Sequence, residues 1–260
     1  MKYTIEQEIA AFVNAYPRCQ STTTSWRTPL VAYADADDPL FLHLKDVVQP
    51  DHAAPKELMK TARSVIVYFL PFAKEITRSN RGGEAASRDW ALAYIDTNRL
   101  IVDLNDYIAA VLKKHGITCC LLPPTHNFDT TNFVSDWSHK HVGYIAGLGT
   151  FGIHRMLITD EGCCGRLGSI ITDAPLSPTA RPEGEHCLYR YNKSCTKCVE
   201  RCTFGALTLE HFDAHTCYAV LLQNAARYER EGYADACGKC VSVVPCSFVN
   251  PVAKALVREK

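Results

Sequence analysis

Apolar and polar positions fall in blocks along this chain that read as successive elements. At 4–15, TIEQEIAAFVNA puts Ile5, Ile9, Phe12 and Val13 on one helical stripe, with Thr4 as a cap and Gln7 three residues on. PLVAYADA at 29–36 reads as a short strand ending in Asp35, Asp37 and Asp38. The DADDP that holds those carboxylates has the composition of a solvated turn, with a metal site as the lesser alternative. SVIVYFL at 64–70 is continuously apolar and β-branched, and Pro71 stops it, which predicts a buried central strand. The charged, glycine-bearing stretch 73–88 reads as a mobile surface loop. A long helix is expected over 85–115, with Tyr94, Ile101, Leu104, Ile108, Val111 and Leu112 on one face and Gly116 as its stop. ITCCLL at 117–122 follows as a second buried strand, with Cys119 and Cys120 as core residues.

The stretch 125–159 is the first to carry chemistry. It holds His126, Asp129, Asp136, His139, His141, Tyr144 and His154. Its centre, 136–146, predicts a helix capped by Ser135 or Asp136, with His141, Ile145 and Leu148 on one face. Gly147, Gly149 and Gly152 then allow close backbone approach, either to a cofactor or in a tight helix-to-strand turn. Residues 156–159 and 169–172 read as two more strands, and Cys163 and Cys164 lie on the turn between them. The run APLSPTARPEGEH at 174–186 has three prolines and no periodicity, and it marks a domain boundary. The expectation is an α/β domain over 1–180 and a small domain over 181–260. In the second, 212–232 is mainly helical and a short helix follows Pro251 to the end.

Composition narrows the function classes. The 260 residues are 47% hydrophobic and 22% charged, with a formal net charge of zero. That is ordinary for a globular protein and offers no general attraction to nucleic acid or anionic lipid. No apolar run approaches the ~20 residues of a membrane span. With thirteen cysteines and no export signal, a reducing cytoplasm is the expected setting.

Eight of those cysteines crowd into 187–246: Cys187, Cys195, Cys198, Cys202, Cys217, Cys237, Cys240 and Cys246. Eight thiolates are what two cubane iron–sulfur clusters require. Cys195-x-x-Cys198 and Cys237-x-x-Cys240 each place two sulfurs on one turn. Cys198-x-x-x-Cys202 turns the next sulfur away, as in two-cluster ferredoxins where it serves the other cluster. One cluster then takes Cys187, Cys195, Cys198 and Cys246, and the other takes Cys202, Cys217, Cys237 and Cys240. The pattern is irregular: Asn192 stands three residues before Cys195, so Cys187 supplies that ligand, and no proline follows Cys202 or Cys246. Zinc ribbons also use paired C-x-x-C, but they need neither the x3 offset nor the fourth cysteine after each pair.

The order of Ala146-Gly147-Leu148-Gly149-x-x-Gly152-x-His154, then LGSIITDAPL, then two cysteine motifs, resembles the tRNA epoxyqueuosine reductases over about 60–250. It resembles the corrinoid-dependent reductive dehalogenases more distantly. The resemblance implies an α+β fold: a nitroreductase-like α/β domain, then a ferredoxin-like domain with two 4Fe–4S clusters. It also implies cobalamin on the surface formed by Gly147, Gly149, Gly152 and His154, with a flavin there, or an empty cleft that docks a corrinoid protein, as the alternatives. The family's catalytic aspartate sits in an F-V-D-S segment. Here Phe133-Val134-Ser135-Asp136 is shifted by one, so Asp136 either replaces it or caps the helix. WSHKH lies outside the family pattern and adds His139 and His141 as proton donors, or as satisfied core or surface histidines.

The expected function is a reductase that passes low-potential electrons through its clusters to cobalamin or to a bound substrate. The alternative is an electron carrier, or an activator of another corrinoid protein, without substrate chemistry of its own. A ferredoxin or flavodoxin is the expected electron donor. A tRNA partner is not expected, because the chain is neutral and ends soon after the second cysteine motif.

Overall fold

The computed structural model describes residues 2–126 and 128–258. In chain order the helices are α1 (Lys2–Cys19), α2 (Leu40–Val47), α3 (Pro55–Leu58), α4 (Lys74–Ser79), α5 (Arg88–Lys113) and α6 (His139–Ile145). Four more follow: α7 (Leu188–Asn192), α8 (Lys197–Glu200), α9 (Ala214–Arg227) and α10 (Pro251–Arg258). The strands are β1 (Leu30–Asp35), β2 (Ser64–Pro71), β3 (Cys119–Leu121), β4 (Phe128–Asp129) and β5 (Val134–Ser135). They continue with β6 (Gly149–Phe151), β7 (Leu157–Thr159) and β8 (Gly165–Thr172).

Four strands form an antiparallel sheet in the order β1-β2-β8-β3. Its centre is β2, buried at every position, and the period-2 geometry of a strand explains its unbroken apolar run. Val65, Val67 and Phe69 point to one face, where they meet Phe41 and Leu44 of α2 and Val142 and Ile145 of α6. Ile66, Tyr68 and Leu70 point to the other, under Ile5, Ile9 and Val13 of α1 and Leu100, Leu104 and Ile108 of α5. Both faces are therefore covered, and the polar groups that β2 does bury have partners: Tyr68 OH donates to Asn105 Oδ1 at 2.6 Å and Ser64 Oγ to the Ala174 carbonyl at 2.8 Å.

Several expectations need correction. Stretch 73–88 is not a loose loop: it contains α4, and Asn80 is fully buried. Helix α6 starts at His139 behind Ser138, so neither Ser135 nor Asp136 caps it. Strand β8 begins at Gly165, directly after Cys164, and both Cys163 and Cys164 are buried. Cys119 and Cys120 lie on an edge strand and are only half-buried. Helix α9 is shorter than 212–232 and starts on Asp213, whose carboxylate accepts from Thr216 N at 3.0 Å. Positions 259–260 of the expected C-terminal helix lie outside the described residues. The acidic turn is held by ion pairs, Asp38 with Arg181 and Asp37 with Lys56.

The cysteine-rich segment does not stand apart from the sheet unit. Trp90, Ala91 and Tyr94 of α5 share one core with Phe72, Tyr228, Ala236, Val241, Val244 and four cysteines. The first turns of α5 thus belong to the cysteine segment, and its remaining turns belong to the sheet.

Candidate metal centre

Eight thiols gather in two groups. Cys187 caps α7, Cys195 precedes α8, Cys198 lies within α8, and Cys246 closes the loop before α10. These four line one pocket with Ile153, His154, Leu188, Val244, Pro245 and Pro251. Burial pushes the Cys198 thiol up to about 12, with further contributions from the charges of Cys246, Cys187 and Cys195. In the second group, burial pushes Cys217 up to about 11, followed by the charges of Cys237 and Cys202. Cys240 is raised well above an ordinary thiol, first by burial and then by Cys237, Cys217 and Cys202, with Cys198 as a weaker contributor. Clustered thiols that resist ionisation without a cation form a donor set suited to a metal centre, since a bound metal favours the thiolate. The residues present fit four-sulfur ligation of two iron–sulfur clusters.

Neighbouring side chains brace the second group. Lys239, between Cys237 and Cys240, is buried and donates to the carbonyls of Asn80 (3.1 Å) and Gly82 (2.7 Å). Asn80 in turn donates to the Cys237 carbonyl at 2.9 Å and to Ser242 Oγ at 3.0 Å. Gly238, in the same motif, has φ +68°, and a Cβ there would lie 2.1 Å from the Trp90 ring. Glycine is required twice over, by its left-handed backbone and by the indole. Lys140 approaches from α6; burial and the Arg155 guanidinium lower its pKa, against the thiols of Cys217 and Cys240. Nothing in the sequence singles out Asn80, Lys140 or Trp90, because their roles depend on partners roughly 80 to 160 positions away in the chain. Lys239 and Gly238 carried a signal, a cation and a glycine inside a C-x-x-C.

The glycine run serves the chain itself. A Cβ on Gly149 would sit 2.0 Å from the Ile158 carbonyl oxygen, because β6 pairs with β7 there. One on Gly147 would sit 2.7 Å from the Ala180 oxygen, and one on Gly152 2.6 Å from the His154 ring. The bare backbone at these positions is already covered, so the glycines do not form an open platform for a macrocycle. His154 points to the first thiol group, with Nε2 3.4 Å from Cys246 Sγ.

The proposed proton donors are also placed differently. His139 bonds Ser169 Oγ through Nδ1 and the Pro123 carbonyl through Nε2, each at 2.9 Å. A carbonyl only accepts, so Nε2 carries the hydrogen and Nδ1 accepts from the serine hydroxyl. Ser169 Oγ accepts in turn from Trp137 Nε1 at 3.0 Å. Burial lowers His139 to about 4, so the ring is neutral at pH 7. His141 bonds Ser138 Oγ at 2.7 Å, and burial lowers it to about 4 as well. Neither imidazole is a charged acid at neutral pH, which favours the alternative of satisfied histidines over that of proton donors. Asp136 is exposed and accepts from Gln49 Nε2 at 2.6 Å, so it is tied to the α2 side of the fold.

The comparisons with known proteins agree with this architecture. No family model matches the chain. Epoxyqueuosine reductase of Bacillus anthracis is 33% identical over 208 residues, 74% of this chain and 50% of that protein. The Bacillus subtilis enzyme is 27% identical over 224 residues, 82% of this chain and 54% of that protein. This chain is a relative of the epoxyqueuosine reductases. It spans about half the length of those two curated relatives. An epoxyqueuosine reductase solved with a modified tRNA stem loop matches 94% of the chain and 65% of its own, at a TM-score of 0.54 and 20% identity. A catabolic reductive dehalogenase matches 88% of the chain and 31% of its own, at 0.56 and 17%. At those identities the solved structures establish the fold alone.

Proposed function

We propose that this epoxyqueuosine reductase relative is an iron–sulfur oxidoreductase holding two 4Fe–4S clusters. Cys187, Cys195, Cys198 and Cys246 hold the first, and Cys202, Cys217, Cys237 and Cys240 hold the second. The observation that carries the reading is the separation of eight thiols, spread over sixty residues of sequence, into two mutually interacting groups, Cys187, Cys195, Cys198 and Cys246 around one pocket and Cys202, Cys217, Cys237 and Cys240 beside it in the same segment. Bound clusters supply one-electron transfer at low potential. The chain's part is to exclude water with the core around Trp90 and Val244 and to offset negative charge with Lys140 and Lys239. In this reading 1–180 is the nitroreductase-like unit that holds the electron acceptor, and 181–260 is the ferredoxin-like unit. A ferredoxin or flavodoxin supplies the electrons.

The family implies a corrinoid as acceptor. The Gly147–His154 surface does not fit one, since the chain's own backbone and the His154 ring occupy the space beside those glycines. The electron acceptor in this reading is a redox-active small molecule. Zero net charge gives no general attraction to an RNA backbone, so tRNA is not part of the proposal.

The test is metal and sulfide analysis of anaerobically prepared protein, with visible and paramagnetic spectra. About eight irons per chain are expected. Cys187→Ser should lose close to half of them, and Cys163→Ser should keep them all. Stoichiometric zinc without charge-transfer absorption would overturn the reading.

A further inference from the structure

Two buried groups outside the eight thiols converge on Cys246. The His154 Nε2 lies 3.4 Å from its sulfur and the Cys163 Sγ lies 3.9 Å from it. His154, Cys163 and Cys246 are all nearly inaccessible to water, at 5%, 3% and 9% exposure. We propose that His154 and Cys163 are positioning residues that donate hydrogen bonds to the Cys246 sulfur and raise the reduction potential of the cluster it binds. The proposal rests on the iron–sulfur reading above.

The direction of the hydrogen bond from His154 follows from its other nitrogen. Nδ1 faces the Met156 backbone N–H at 3.1 Å. A backbone N–H can only donate, so Nδ1 is the acceptor. In a neutral imidazole the remaining nitrogen then carries the hydrogen, and Nε2 donates to sulfur. Gly152 makes the arrangement possible: a Cβ there would lie 2.6 Å from the imidazole, so only glycine lets the ring lie flat against this turn. This is a local reason for the third glycine of the run.

Cys163 is held just as firmly. Its backbone N–H donates to the Cys246 carbonyl at 3.0 Å, and Cys164 N–H donates to Ser247 O at 3.4 Å. Gly162 has φ +83°, and a Cβ there would meet Ser247 O at 2.4 Å, so the two segments lie backbone to backbone. The start of β8 is thereby fixed to the last ligand. Hydrogen bonds to a cluster's sulfurs draw electron density from it and stabilise its reduced form. Inside a dry core that influence is screened little.

The test uses the whole iron-loaded protein and reads potentials. His154→Leu and Cys163→Ala remove a donor each at similar or smaller volume. Potentiometric titration followed by electron paramagnetic resonance should show one cluster shifted to more negative potential in each variant, with the other unmoved. The expected change is about tenfold in the reduced-to-oxidised ratio at fixed ambient potential, which is 59 mV for one electron. His154→Gln and Cys163→Ser keep a donor and should stay near the wild type. Full iron with unchanged midpoints in His154→Leu and Cys163→Ala overturns the proposal. So does strong nitrogen hyperfine coupling in the wild type, which would make His154 an iron ligand. Loss of the cluster in both variants of a folded protein also overturns it, by making the pair structural. Wild-type protein without iron refutes the iron–sulfur reading itself, so the two failures are distinguishable.

Discussion

His139 shows how far a residue's type can mislead. Its ring is saturated by Ser169 and the Pro123 carbonyl, and burial holds it near 4, against 6.5 in an open chain. The folded protein therefore binds a proton here more weakly than the unfolded one. Stability from this group is complete above pH 6.5 and is lost as pH falls from there toward 4. Denaturant midpoints should drop over that window, and the drop should be shallower in His139→Gln. Because the two proteins share every other acid-sensitive group, the difference between their profiles isolates this one; identical profiles would exclude His139 as the cause. The sequence showed a histidine-rich motif, and residue type pointed to proton transfer. Hydrogen-bond saturation arises from Ser169, thirty positions away, and from a carbonyl that has no signature in sequence. The tie between Asp136 and Gln49 is likewise invisible in sequence, since the two are 87 positions apart.

At the scale of elements, helix α5 does two jobs. Leu100 to Leu112 cover the sheet, and Trp90 closes on Gly238 between two cysteines of the second group. Three glycines with different surroundings separate the costs. Gly184 has ordinary φ and open space, so Gly184→Ala should change stability negligibly. Gly205 has φ +67° and open space, so Gly205→Ala should cost about 1 kcal/mol of backbone strain. Gly238 adds the clash with the indole, and Gly238→Ala should cost at least about 2 kcal/mol and reduce iron content. Urea titration and iron analysis of the three variants check the order; equal effects at 205 and 238 would remove Trp90 from the argument. The long helix and the central strand β2 were legible because periodicity is local. The role of α4 was not, since its charged surface face hides Asn80 and the contacts that brace the cysteines.

For the whole molecule, the proline-rich run at 174–186 reads as a domain boundary, and across it the cysteine segment packs against the first turns of α5 in one apolar cluster. Composition marks where a chain has no periodic element; it does not say whether the flanking parts pack together. If the clusters fill the two thiol groups, their binding energy is available to folding, because the disordered chain has no such site. Removing iron should therefore loosen one part of the molecule more than another. Hydrogen exchange should accelerate at 88–94 and at 234–247, while Ile101 to Leu112 keep their protection under α1. Uniform acceleration along α5 would show that the two halves of the helix do not respond separately.

The shared core around Trp90 also bears on how much finished protein a cell holds. If that region is completed by bound clusters, a newly made chain would have its sheet but lack the component that finishes the cysteine segment, and an unfinished region is what proteases engage. Synthesis alone then does not determine abundance. With iron–sulfur clusters in the two thiol groups, the quantity that survives would follow the supply of iron and sulfide during the interval after translation, so scarcity would thin the population of molecules rather than slow each one.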